Sequence, residues 1–179
     1  MKKFLTILAS TIAIATPTLF VEHSTLLAQA QTQESQIKTH AIGNLTFKAP
    51  RNWLENPRGA SANSLELHNK KFPNRGGGFA PKGLIRVVAT ISEEDLETAT
   101  ATKPNSRAWP KTTTKTESLT INGKKAVRLY EDYNDGFPAG IVTYVATGKK
   151  ETIMLGTFYS DSDTEKQVQQ IQDSIRITK

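Results

Sequence analysis

The sequence predicts an α+β domain built on an antiparallel β-sheet whose two faces are both covered, and three observations predict it. Strand-like runs are joined by turn residues at Asn122-Gly123 and at Gly148-Lys149-Lys150, which reads as a meander of hairpins. In these runs both alternating faces carry apolar side chains: Val127 and Leu129 against Ala126 and Tyr130, Ile153 and Leu155 against Met154 and Phe158. Two further segments, "ISEEDLETATAT" and "SDSDTEKQVQQIQDSIRI", carry helix-start signals.

The first thirty residues stand apart. Lys2 and Lys3 form a basic start, "FLTILASTIAIA" an apolar stretch, and Ala28-Gln29-Ala30 the small-x-small pattern that signal peptidase cleaves. The expectation is export, with residues 1–30 removed. An uncleaved anchor is the alternative, because Phe4 to Val21 approaches the length of a membrane span, although Pro17 interrupts it. Cleavage removes Lys2, Lys3 and Glu22 and leaves 21 basic and 16 acidic residues, a formal charge of +5. That charge is scattered and falls short of a nucleic-acid-binding signature. The remaining 149 residues suit one domain with a real hydrophobic core and no transmembrane segment. The chain has no cysteine, which excludes disulfides, a lipid-bearing cysteine, a thiol nucleophile and a thiolate-held metal.

Residues 31–40 are polar and read as a flexible leader, so the expected domain is 41–179. "NLTFKAP" alternates and stops at Pro50, a first strand, and Trp53 beyond it reads as a lid on the core. "SLELH" is a short half-buried strand with Leu65 and Leu67 on one face and Glu66 and His68 on the other. "LIRVVATI", apolar on both faces, reads as a central strand. Ser92 caps the first expected helix, with Asp95 completing a capping box and Ile91 and Leu96 a hydrophobic staple. Ser162 caps the second, with Glu165 three residues on and Thr164, Val168, Ile171 and Ile175 on one face. The acids around Asp161 are therefore a helix start, since a calcium loop would need alternating oxygen ligands, a glycine and a distal bidentate acid.

Residues that could carry chemistry are few. Once residues 1–30 are removed, His40 and His68 are the only histidines, and no His-x-x-x-His pair or Gly-x-Ser-x-Gly elbow occurs. Glu66 and His68 share a strand face and could hold a metal with a third ligand, or simply face solvent. The Gly76-Gly77-Gly78 run lacks the Gly-Lys-Ser/Thr ending of a phosphate loop. Its surroundings are basic, and Lys70, Lys71, Arg75, Lys82 and Arg86 form a candidate docking element for an acidic partner. Trp53, Trp109 and Phe79 near loops could instead line an apolar pocket for a small ligand. No catalytic or cofactor-binding residue is nominated, and the expectation is a protein that is not an enzyme.

The order of elements then points to a family. "LTFKAPRNW", "LIRVVATI" before a capped helix, "LTINGKKAVRLYEDY" and "ETIMLGTFYSDSDTEKQVQQIQDSIRI" together resemble the PsbP-like family, whose best-known members are extrinsic lumenal subunits of photosystem II. The resemblance covers roughly Ala41 to Ile177 and implies a central antiparallel sheet with helices on both faces, an α/β/α sandwich. It also implies binding or assembly at a membrane-associated protein complex, in the periplasm or the thylakoid lumen of a cyanobacterium. The missing lipid-bearing cysteine departs from the lipoprotein form usual for cyanobacterial PsbP, which fits a paralogue as well as a photosystem subunit. No metal ligand can be carried over.

Overall fold

Gly43, with a φ of 53°, reverses the chain between two strands, β1 (Ile37–Ile42) and β2 (Leu45–Pro50). The computed structural model describes residues 36–57, 61–71, 80–101, 111–133 and 136–178, all within one compact unit, Gln36–Lys179. The expected signal segment, residues 1–30, lies outside them, as do Arg75, Phe79, Trp109 and the glycine run. The leader boundary needs correction. Ile37 to His40 pair with Pro50 to Phe47, so these four residues belong to the domain, and the mostly polar strand before Gly43-Asn44 masks that hairpin signal.

After β2 come β3 (Leu54–Glu55), β4 (Ser64–His68) and β5 (Ile85–Ser92). Helix α1 (Leu96–Ala101) follows, then strands β6 (Lys111–Ile121), β7 (Lys124–Tyr133), β8 (Ala139–Gly148) and β9 (Glu151–Tyr159). A 3-10 turn (Ser162–Thr164), helix α2 (Glu165–Asp173) and β10 (Arg176–Ile177) complete the described chain. The strands form two antiparallel sheets, one in the order β1-β2-β10 and one in the order β3-β4-β5-β9-β8-β7-β6. The meander from β6 to β9 thus folds back so that β9 pairs along the whole length of β5.

The expected α/β/α sandwich is corrected by this architecture. The described residues are mostly strand, with two short helices and a second sheet, and so do not form a sheet sandwiched between helical layers. On one face Ile85, Val87, Ala89, Ile141, Val145, Ile153 and Leu155 pack against Leu45, Phe47 and Ala49 of the small sheet and against Val168, Ile171 and Ile175. Among the described residues, Leu129, Val142 and Tyr144, of opposite alternation, cluster with Ala99 and Leu96 of the six-residue α1. Doubly apolar strands say that both faces are covered but not by what. A second sheet buries apolar surface as well as helices do.

Both helix starts slip from their expected caps. Ser92 stays in β5, paired with Thr152, and Asp95 caps α1 instead, its Oδ1 accepting the Thr98 N–H at 2.8 Å. Asp161 caps the 3-10 turn, accepting the Asp163 N–H at 3.1 Å, while Thr164 precedes α2 without a side-chain cap. At α1 the strand keeps the backbone of Ser92 and an acid three residues on takes the exposed donors, whereas at the 3-10 turn the acid one residue before Ser162 takes them. Trp53 is buried in the core, as its position after the Pro50 turn suggested.

The β6–β7 turn uses φ of 47° at Asn122 and 80° at Gly123, the two positive values of a type I′ hairpin. A Cβ at Gly123 would meet nothing within 4 Å, so only backbone strain opposes a side chain there. Gly123→Ala is expected to lower unfolding stability by about 1 kcal/mol, read as a shifted urea midpoint with an unchanged slope.

Candidate functional site

Helix α2 is held to the large sheet by polar groups as well as by its apolar stripe. Gln172 sits one turn beyond Val168 on the buried side, 1% exposed. Its Nε2 lies 2.9 Å from the Ile141 carbonyl, 3.1 Å from the Leu155 carbonyl and 2.9 Å from Thr157 Oγ1, so two hydrogens serve three acceptors on β8 and β9. Its Oε1 accepts from Thr143 Oγ1 at 2.6 Å. Arg128 on β7 donates from Nε to Thr143 Oγ1 at 3.1 Å and from its terminal nitrogens to Asp173 Oδ1 at 2.9 Å and the Gln172 carbonyl at 3.0 Å. A guanidinium at a helix C-terminus also meets the negative end of the dipole favourably.

This network forms the back wall of an open cleft of about 380 Å³. Leu119, Thr120, Ile121 and Asn122 from β6 and its turn line it too, with Ile175 and Arg176. Asn122 Oδ1 accepts the Ile177 N–H at 3.1 Å and so holds the hairpin tip against β10. The cleft combines apolar walls with a few placed polar groups. None of its residues was nominated from the sequence, because they come from four separate elements. The readable hint was Gln172, an amide at a position where the helical stripe asks for an apolar side chain.

The nominated docking residues do not form one group. Lys70 Nζ donates to the Lys82 carbonyl at 2.6 Å, which brings the two stems of the β4–β5 connection together, and Lys71 is exposed beside them. Lys82 reaches Asp163 at 3.4 Å across an exposed gap. Asp161 straps the same stem down, its carboxylate accepting the Gly83 N–H, and that bond is the first cause of its lowered pKa. Arg86 is drawn off onto the sheet, where its Nε meets Glu66 Oε1 at 2.9 Å.

Glu66 and His68 are not the solvent-facing pair of the sequence reading. His68 is 6% exposed, and its Nε2 lies 2.8 Å from Glu66 Oε1. The same oxygen meets Arg86, so the place a metal would take is already filled by a cation. Among the described residues no three His, Cys, Asp or Glu side chains stand together as a metal-binding set. On the same face Tyr133 O–H donates to the carboxylate of Glu131, itself buried, and burial pushes the Tyr144 phenol up to about 12.

Two outcomes follow from these contacts. Gln172→Leu removes the amide that joins β8, β9 and α2 and leaves the Thr143 and Thr157 hydroxyls short of partners. It is expected to cost about 2 kcal/mol, read by urea unfolding. The hydrogen bond from His68, with Arg86 adding its charge, holds Glu66 down from an ordinary 4.5 to about 2. Because the folded value is depressed, this stabilisation is complete above about pH 4.5 and is lost as the pH falls through about 2. Thermal unfolding of Glu66→Gln between pH 2 and 7 is expected to show a flatter acid limb across that window than the parent chain.

No protein-family model matches the sequence, and no curated protein matches it. Among solved structures the chain is similar to the Ran-binding protein Mog1p of Saccharomyces cerevisiae, at 10% identity and a TM-score of 0.46, over 79% of this chain and 95% of that one. It is also similar to the cyanobacterial PsbP protein CyanoP of Synechocystis, at 11% identity and a TM-score of 0.51, over 80% of this chain and 93% of that one. Identities this low speak for the fold alone, and in fold the chain is similar to cyanobacterial PsbP.

Proposed function

We propose that the chain is an exported binding or assembly protein, without chemistry of its own, that engages a membrane-associated or photosynthetic protein complex. One observation carries this reading: the ionisable groups that converge in the described fold are closed off by internal partners. Glu66 is taken by His68 and Arg86, Arg128 by Thr143, Gln172 and Asp173, and Tyr133 by Glu131. A general acid or base has to present its proton to a substrate, whereas these groups are spent on holding strands and helices together. The fold similarity to cyanobacterial PsbP supports the same direction. Export rests on the cleavage pattern at Ala28-Gln29-Ala30 and places the protein in the periplasm or the thylakoid lumen.

A second reading, a small-ligand-binding protein of the same compartment, draws on the cleft with its two arginines. Thermal shift separates the two, because a ligand at 100 times its dissociation constant should stabilise the chain by about 2.7 kcal/mol. The primary test is purification of a C-terminally tagged copy from the native host under gentle lysis, with mass spectrometry of its companions and its N-terminus. The expected result is a chain beginning at Gln31 together with a membrane-protein complex. A solitary chain would overturn the binding role, and an intact Met1 would overturn the export.

A further inference from the structure

The large sheet ends on a long open edge. Strand β6 has no strand on its outer side among the described residues, and its side chains from Thr112 to Ile121 are exposed or half-buried. Such an edge is a template for another strand unless it is blunted. Its first half is blunted, by the register shift between Thr113 and Lys115 and by Lys115 itself. Its second half, Thr116 to Ile121, pairs regularly with β7 and spans six residues, a common strand length. Ile121 and Lys124 close a two-residue hairpin and therefore exchange both ladder bonds. By alternation, the N–H and C=O groups of Thr120, Ser118 and Thr116 point away from the sheet.

The unblunted half is also the half that lines the cleft. Leu119 and Ile121 form an apolar wall facing Ile175, with Arg176 at its rim. An added strand would lay alternate side chains over that cleft, as peptides do when they extend a sheet beside a groove. The surrounding charge selects its composition. Lys115 is paired with Glu117 at 2.6 Å, and Arg128 with Asp173 at 2.9 Å. Lys124 Nζ is turned to the Thr147 carbonyl on β8 at 3.2 Å, and Lys125, opposite Thr120 in register, and Arg176 at the cleft rim remain as a cationic surplus.

We propose that the Thr116–Ile121 edge and its cleft take an extended, acidic segment of a partner protein, added as an eighth antiparallel strand with apolar residues at alternate positions. This rests on the binding-protein reading above and names the mode and chemistry of the partner. The probe is a fluorescein-labelled octapeptide of alternating Glu and Val, titrated against the chain lacking residues 1–30, with a Lys and Val counterpart and a copy N-methylated at alternate amides. The Glu and Val peptide is expected to bind, and the other two are not. Ser118→Pro removes one outward N–H without touching the β6–β7 ladder and should weaken binding by about tenfold, with melting little changed. Arg176→Glu should weaken it comparably and lessen its salt dependence.

No binding of the Glu and Val peptide, equal binding of the N-methylated copy, or unchanged affinity in both variants would overturn the proposal. A dimer of the parent chain that Ser118→Pro dissociates would give the edge to a second copy and overturn it too. The native purification distinguishes the levels. A complex kept by Ser118→Pro but lost on reversing Lys70, Lys71 and Lys82 preserves the binding function and removes the edge from it. Peptide binding without any native complex would leave the edge and sink the function.

Discussion

The amide of Gln172 is the contact on which the rest of this structure depends. It reaches two neighbouring strands through backbone carbonyls, and Thr143 ties it onward to Arg128 on a third. A buried amide with a missing partner is costly, so only one placement of α2 on the sheet satisfies the whole set. The apolar stripe of Val168, Ile171 and Ile175 supplies the gain from burial but would tolerate a small slide or rotation. The polar network removes that freedom.

Fixing α2 has consequences at both of its ends. At the C-terminus, Arg128 and Asp173 become the back wall of the cleft, and β10 is delivered to β2 beside the Asn122 turn. At the N-terminus, Asp161 and Ser160 grip the Gly83-Leu84 backbone, with the Leu84 N–H donating to Ser160 Oγ at 3.0 Å. The basic stem that holds Lys70 and Lys82 is therefore strapped to the same helix start. The β4–β5 stem and the β10 strand beside the Asn122 turn are thus tied to the two ends of one short helix.

Charge is distributed in the same economical way. Glu66 and Arg128 are matched inside the fold by Arg86 and Asp173, while exposed Lys71, Lys82 and Arg176 lie at stems and rims, where water screens them. The edge strand shows the same division along its length. A bulge and a lysine protect its first half from indiscriminate pairing, and the half beside the cleft is left regular.

Much of the β-structure was legible in sequence. The span of β4 and the runs of β2, β5, β7 and β9 follow from alternation, and Asn122-Gly123 specified its turn because two positive φ angles admit few residue pairs. Strand β1 escaped because its pattern is mostly polar: its burial comes from His40 stacked on Phe47 and from Ile42, contacts that exist only once β2 is in place. The helix caps slipped by three residues or by one because neighbouring strands and turns compete for the same backbone groups. The character of the layers, a second sheet where helices were expected, was decided by tertiary structure, since apolar alternation specifies that a face is covered and not what covers it. The cleft was decided there too, because Leu119, Arg128, Gln172 and Arg176 are brought together by packing over distances that no local spacing encodes.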